Sequence, residues 1–217
     1  MAVSIDDVVR RYSTLYHMAE PGSWPSIRDR GLLGTSALLD LYGITGSERS
    51  TIEGEHRPES VLIRRPGLPD ATIRDQKPMS VKALTRVLDP GVQPSDWFRE
   101  LNSKVFFWVR RERLKTMMNA RAYRKMAKTV LEVDAAALLT HHAHAVRLAT
   151  INTGATHRFA ARRGRRTFLD LGAFPKGRLS GVVELVVEIG VPRICEFVTH
   201  VYETDANGVE TLLWRRP

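Results

Sequence analysis

The sequence predicts an α+β fold, and three observations on the order of its segments indicate this class. Apolar residues at helical spacing occur mainly in the first half, whereas runs typical of β-strands occur mainly after residue 128. An Asn207-Gly208 pair, a strong hairpin-turn signal, separates the last two of these runs. Because helices and strands do not alternate regularly, a parallel sheet is not expected. The 217 residues are predicted to form a single domain over 1–217.

The predicted helices of the first half have sequence signals at their starts or ends. Ser4 and Asp7 form the pattern of a capping box ahead of an apolar helical run. A short strand is then predicted over 15–18, followed by a compact helix that starts at Ser23 and stops at Gly31. Further helices are predicted over 35–42, from Ser80, from Ser95 and over 111–127. Residues 44–79 are rich in glycine, proline and charge, and are predicted to be a loop excursion with one strand at 61–63.

The predicted strands of the sheet are rich in valine, leucine, isoleucine and aromatic residues. They lie at 105–109, 129–133, 145–149, 181–189, 197–203 and 209–214. The histidines from His141 to His144 have no acidic or cysteine partners nearby, so we expect a helix end or loop there and no metal site. The one cysteine, Cys195, excludes an intrachain disulfide. No segment has the length and apolarity of a membrane span, and a cytoplasmic protein is expected.

Positive charge is concentrated in two stretches of the chain. The net charge is +9, and residues 104–128 hold nine basic residues and one acid, while 158–178 hold seven and one. Both stretches contain interleaved aromatic residues, namely Phe106, Phe107, Trp108, Tyr123, Phe159 and Phe168. Such a pattern fits a surface that binds phosphates, although a solvated helix face has the same charge. Phosphate-binding glycine loops and the G-x-S-x-G nucleophile turn are absent from the sequence.

Three separated segments together resemble a known fold. They read Leu15-Tyr-His-Met with Trp24-Pro-Ser-Ile-Arg-Asp-Arg-Gly-Leu-Leu33, then Leu101-Asn-Ser-Lys-Val-Phe-Phe-Trp-Val-Arg110, then Val182-Val-Glu-Leu-Val-Val-Glu-Ile-Gly-Val-Pro-Arg-Ile194. Their order is similar to that of the ADP-ribosyltransferase fold, most closely of DarT-type DNA ADP-ribosyltransferases and related uncharacterised bacterial families. The resemblance covers most of the chain in outline. It implies a split antiparallel sheet core with N-terminal helices.

The resemblance also implies a set of site residues for NAD chemistry. Glu184 matches the late-strand glutamate that stabilises the positive charge when the nicotinamide–ribose bond breaks. His17 matches the early histidine that holds the adenosine side, and Arg113 is the basic residue expected to position the diphosphate or the acceptor. The residues expected to bind NAD are His17, Trp24, Ile27, Gly31, Leu32, Phe107, Trp108 and Asn152. Those expected to contact nucleic acid are Arg162, Arg163, Arg165 and Arg166.

Other interpretations of these residues are open on sequence alone. Glu184 and Glu188 share one strand face, so both also fit the solvent side of an edge strand. Val182 stands where arginine-modifying members of the superfamily have Glu or Gln, which disfavours a protein-arginine acceptor. The expected function is an NAD-dependent ADP-ribosyltransferase that modifies nucleic acid, DNA rather than RNA, as a toxin or defence protein that an antitoxin or other partner protein would accompany. The alternatives are an inert nucleic-acid-binding module of the same fold and an RNA 2′-phosphotransferase.

Overall fold

A seven-stranded antiparallel sheet organises the fold in the computed structural model, which describes residues 2–156, 160–205 and 207–217. Its strand order is β11-β10-β6-β1-β5-β8-β7, and β2–β9 and β3–β4 form two small separate pairs. The strands are β1 Thr14–Ala19, β2 Leu32–Leu33, β3 Val61–Ile63, β4 Ala71–Ile73, β5 Lys104–Trp108, β6 Lys128–Asp134, β7 Val146–Ala149, β8 Glu184–Glu188, β9 Gly190–Val191, β10 Val198–Thr204 and β11 Glu210–Arg215. Together with the helices this architecture confirms the α+β class.

The large sheet divides into two halves between its neighbouring strands β1 and β5. Strand β1 pairs with β6 along its whole length, and β5 pairs with β8 in the same way. Among the described residues, β1 and β5 have one pair of directly opposite residues, Tyr16 and Trp108. The halves β11-β10-β6-β1 and β5-β8-β7 therefore diverge on one side of this pair, and backbone edges on both strands are left unpaired there.

Helices cover both faces of the sheet. They are α1 Ile5–Arg11, α2 Trp24–Arg30, α3 Thr35–Tyr42, α4 Gly46–Gly54, α5 Val81–Val87, α6 Pro94–Asn102, α7 Arg111–Met118 and α8 Ala135–His142. The predicted capping box is confirmed, because Ser4 and Asp7 exchange side-chain and backbone hydrogen bonds at the start of α1. The main core packs Leu15 of β1 with residues of α1 and α8 on one face, while Met18 packs on Leu114 of α7 on the other. Within the described residues, no helix is long and apolar enough to cross a membrane.

The prediction of a loop excursion over 44–79 is wrong, although the strand at 61–63 is confirmed. This segment contains α4, β3 and β4 and has its own buried apolar cluster with α3, formed by Leu39, Tyr42, Ile52, Ile63 and Ile73. Its apolar residues stand singly among glycine, proline and charged residues, so periodicity does not reveal them. The buried Arg57 ties the segment to α6, since its Nη2 donates to Asn102 Oδ1 at 3.0 Å.

Two element boundaries differ from the predictions, and one helix is additional. The basic helix predicted over 111–127 ends at Met118, and the following residues form turns around the buried Tyr123. The Tyr123 hydroxyl donates to Asp75 Oδ1 at 2.6 Å, so a tertiary contact overrides local helix propensity. The strand predicted over 181–189 begins only at Glu184, because a 3₁₀ turn occupies Lys176–Gly181. The sequence predicts no helix bounds for α8, only a helix end or loop at its last histidines. Asp134 caps this helix by accepting hydrogen bonds from the first-turn amides.

Candidate functional site

Two adjoining cavities lie along the division between the sheet halves. The larger has a volume of about 540 Å³ and the smaller about 250 Å³. They share lining residues from β1 and β5 and from the 44–79 segment, among them His17, Arg74, Lys104 and Phe106. Cavities of this combined size are typical of sites for small molecules and nucleotides.

His17 lies on β1 where the two cavities meet. Its Nδ1 donates to the carbonyl of Phe106 on β5 at 2.8 Å, which bridges the division and fixes the tautomer. Its ring also packs edge-on against Phe107, with ring centroids 5.8 Å apart. Burial lowers the pKa of His17 to about 4; the Phe106 hydrogen bond opposes the decrease and the nearby Arg74 charge adds to it. The imidazole is therefore neutral at physiological pH, with Nε2 available as an acceptor.

Glu184 is the first residue of β8 and reaches the smaller cavity from the other half of the sheet. Its side chain is buried, and both carboxyl oxygens accept from the Thr153 amide at 3.2 and 3.3 Å. The Thr153 hydroxyl donates to Oε2 at 2.7 Å. Burial raises the pKa of Glu184 to about 7, although the Thr153 hydrogen bonds and the Arg163 charge oppose the increase. The carboxyl group is thus held in one orientation and titrates near neutrality.

Arg163 fixes the loop that holds Glu184, and its predicted role in nucleic-acid contact is wrong. Its side chain is buried, with 2% of the residue's surface exposed. Nη2 donates to the carbonyls of Asn152, at 3.1 Å, and Ala155, and Nη1 donates to Ala161 at 2.6 Å. Because Asn152 and Ala155 flank Thr153, the guanidinium positions the residue that binds the Glu184 carboxyl group. A nucleic acid has no access to it.

The structure gathers most of the predicted NAD-binding residues around the cavities. Ile27, Gly31 and Leu32 line the larger one, and Phe107, Trp108 and Asn152 line the smaller one with Glu184. Among the described residues that line either cavity, Trp24 and Arg113 do not occur.

Trp24 and Arg113 lie elsewhere for different reasons. The Trp24 ring is buried in the main core, 5.3 Å from the Trp214 ring, so the expected contact with NAD is wrong. Arg113 is exposed on α7 and is not among the described residues that line the two cavities, so its role at the diphosphate or the acceptor stays a prediction.

Gly31 ends helix α2, as the sequence predicts, and also lines the larger cavity. Its φ of +90° ends α2 in a conformation that favours glycine, and the next residue starts β2. A Cβ at this position would lie 3.0 Å from both Pro192 Cα and Val191 O. The chain can therefore approach β9 closely only with glycine here.

Sequence reasoning missed two cationic residues that line both cavities, Arg74 and Lys104. Arg74 Nε lies 3.0 Å from Glu20 Oε1, but the pair is poorly aligned: this buried nitrogen makes no hydrogen bond within the described part of the chain. Lys104 is buried, and its Nζ lies 2.8 Å from Glu100 Oε1. Lys104 belongs to the first basic stretch, whereas Arg74 lies in the segment predicted to be a loop excursion. Thr153 directly follows Asn152, one of the residues that the resemblance implies for NAD binding.

The two basic stretches are partly internal. Lys104 and Lys128 are buried, as is Arg163. Arg162, Arg165 and Arg166 are exposed, and Arg162 lies 3.5 Å from Asp89. Arg158 and Phe159, which belong to the second stretch, lie outside the described residues. An exposed basic surface therefore exists, but it contains fewer charges than the sequence count indicates.

Among the described residues, no group of three or more His, Cys, Asp or Glu side chains is placed to hold a metal ion.

A family model matches residues 13–198, from the residue before β1 to the first residue of β10. The family, DUF7002, is described as a family of unknown function. No curated protein matches the chain significantly.

Proposed function

We propose that this chain, which belongs to the DUF7002 family, is an NAD-dependent ADP-ribosyltransferase that modifies nucleic acid. One observation carries the proposal: His17 and Glu184 come from opposite halves of a divided antiparallel sheet and line adjoining cavities at the division. His17 lies in the first of the three segments that resemble the ADP-ribosyltransferase fold, and Glu184 lies in the third. These are the positions at which the ADP-ribosyltransferase fold places its NAD-binding and charge-stabilising residues.

NAD supplies an activated ribose whose bond to nicotinamide breaks with the electron pair leaving on nicotinamide. The Glu184 carboxylate would face the positive charge that develops on the ribose, which stabilises the transition state more than the ground state. A ring nitrogen or oxygen of the acceptor then bonds to the ribose carbon and releases one proton. Glu184, with its pKa raised to about 7, is suited to accept that proton near neutral pH. Thr153 and Arg163 keep the carboxyl group oriented for both roles.

The cavity lining fits the two halves of the proposed substrate. The neutral His17 presents Nε2 as an acceptor for a ribose hydroxyl, and Trp108 supplies an aromatic wall beside Glu184 for nicotinamide. Arg74 is the residue of the cavity lining that we expect to contact the diphosphate. Its side chain lines both cavities, and its Nε lies 3.0 Å from Glu20 Oε1, which fixes the guanidinium beside them. A guanidinium has further N–H groups besides Nε, and these are the donors that suit phosphate oxygens.

The decisive experiment compares transfer of labelled ADP-ribose from NAD to DNA and RNA by the wild type and two glutamine variants. Glu184→Gln keeps the shape and removes the charge, so we expect transfer to fall on the order of a hundredfold or more while NAD still raises the melting temperature. Glu188→Gln is the matched control, because Glu188 lies on the same strand and pairs with the Arg147 side chain at 3.0 Å instead of lining a cavity. This control is expected to transfer at nearly the wild-type rate.

The same assay distinguishes the alternatives. Equal transfer by wild type and Glu184→Gln refutes the catalytic role of this residue. Binding of nucleic acid without NAD binding or transfer identifies the inert module. Removal of a 2′-phosphate from an RNA substrate, with NAD consumed, identifies the RNA 2′-phosphotransferase.

A further inference from the structure

A third concave site, separate from the two cavities above, is lined by four arginines. It has a volume of about 480 Å³ and lies where the end of α1 meets the junction of β5 and α7. We name it the arginine cleft, defined by Arg10, Arg11, Arg110 and Arg111. Its other lining residues are Tyr12, Ser13, Thr14, Tyr16, Val109 and Glu112. The Tyr12 hydroxyl donates to the Leu179 carbonyl at 2.7 Å, so the lining includes three other hydroxyl groups and one carboxylate.

The four guanidinium groups are only partly neutralised by neighbouring acids. Arg111 lies 2.6 Å from Glu210 and 3.9 Å from Glu132. Arg110 packs over the Tyr12 ring and donates to the Ser180 carbonyl at 2.9 Å, which leaves its charge intact. Arg10 and Arg11 are exposed, and no carboxylate of the described residues lies within ion-pair distance of either.

The start of α7 adds to this positive character, while the end of the shorter helix α1 carries the opposite partial charge. Helix α7 starts in the cleft, and its N-cap residue, Arg110, provides no side-chain acceptor for the first amides. The N-terminal end of a helix carries a partial positive charge and unpaired N–H groups. Converging arginines, hydroxyl groups and helix amides are the groups that proteins use for phosphate oxygens.

We propose that the arginine cleft binds the phosphate backbone of the acceptor nucleic acid. This inference rests on the proposed function and locates its acceptor. Arg110 lies two residues beyond Trp108, the last residue of β5, so at most about 7 Å separates their Cα atoms. Trp108 in turn is the cross-strand partner of both Tyr16, in the cleft, and Glu184. A strand held in the cleft therefore passes beside the Glu184 end of the smaller cavity.

The bound form is a single strand. Enzymes that act on a base need it unpaired, because the reacting atom is inaccessible inside a duplex. The phosphates of an unpaired strand fix its position without reading sequence, and the base is left free to turn toward Glu184. The exposed Arg165 and Arg166 would then contribute only general attraction.

The test measures binding of a short fluorescent single-stranded DNA by anisotropy, without NAD, over a series of salt concentrations. Each phosphate neutralised on a single strand contributes about 0.7 to the slope of log K against log salt. Arg10→Ala/Arg11→Ala is expected to reduce that slope by about 1.4 and to weaken binding at low salt. Arg165→Ala/Arg166→Ala removes the same formal charge from an exposed site and is expected to change the slope much less. Arg10→Lys/Arg11→Lys is expected to keep the wild-type slope, which separates charge from any effect on folding.

Three results would overturn the proposal. One is an equal or larger loss in the Arg165/Arg166 double variant than in the Arg10/Arg11 variant. Another is displacement of the DNA by inorganic pyrophosphate at the same molar concentration as the DNA, because a free anion would then be the ligand of the arginine cleft. The third is an unchanged slope in the Arg10/Arg11 variant. An RNA strand of the same sequence determines which acceptor is preferred. Because no NAD is present, failure of transfer leaves these measurements unaffected.

Discussion

Replacing Glu184 with Gln should change how stability depends on pH, and the direction follows from the two buried groups of the candidate site. In the wild type, burial raises the pKa of Glu184 from 4.5 to about 7 and lowers that of His17 from 6.5 to about 4. The two groups therefore have opposite effects in overlapping pH ranges. At mildly acidic pH both are neutral in the native protein, and both are charged when the chain unfolds.

The magnitudes follow from proton linkage. Between pH 4.5 and about 7, native Glu184 holds a proton that the unfolded chain has lost, so the free energy of unfolding falls by about 3 kcal/mol as pH rises. Between about pH 4 and 6.5, the unfolded chain holds a proton on His17 that the native protein lacks, so the free energy of unfolding rises by about 3 kcal/mol. In the wild type the two contributions nearly cancel.

Each single variant removes one of the two contributions and exposes the other. Urea unfolding, which leaves ionic strength unchanged, should show Glu184→Gln becoming more stable as pH rises from about 4.5 to 6.5. His17→Asn should become less stable over the same range. Subtracting the wild-type profile removes the titration of all other groups. If the free energy of unfolding of all three proteins changes with pH in parallel, His17 and Glu184 are not buried in the way described.

Three further predictions concern residues around the site. Arg163→Met leaves three backbone carbonyls without their donor, so we expect a loss of about 3 kcal/mol or more in urea unfolding, and a smaller loss would contradict its positioning role. Tyr123→Phe removes the donor to Asp75 and should lower the free energy of unfolding by about 1–3 kcal/mol, while leaving NAD-induced thermal stabilisation unchanged. Ile52→Ala should cost about 2–5 kcal/mol, whereas Leu62→Ala, at a side chain that is 49% exposed, should cost little; equal effects would mean that the 44–79 cluster is not a true core.

The sequence was informative where a local pattern and the tertiary structure agree. The capping box at Ser4, the helix stop at Gly31 and the apolar strands needed no distant partner to be recognised. The position of Glu184 near the start of an apolar strand also led to a cavity residue. In each case the signal lies within a few neighbouring residues, which is the range over which periodicity and turn chemistry act.

What the sequence missed depends on contacts between distant segments. The 44–79 cluster needs α3 to complete it, and the turns after Met118 depend on Tyr123 reaching Asp75. The burial of Arg163 results from carbonyls of a loop that no periodic pattern describes. Charge counting treats every arginine as solvated, so it assigned a surface role to a residue that stabilises the interior.

The pairing of the strands has a consequence for how the chain reaches its native state. Strand β6 lies between the first strand and β10, and β8 lies between β5 and β7. The strands of each half are therefore separated in the sequence. Strand β10 can pair with β6 only after residues up to Thr204 have been synthesised. Closing loops of this length before any contact is gained makes folding slow. We therefore expect a fragment that carries the strands of one half alone to lack a stable fold, because each half is built from segments that are distant in the sequence.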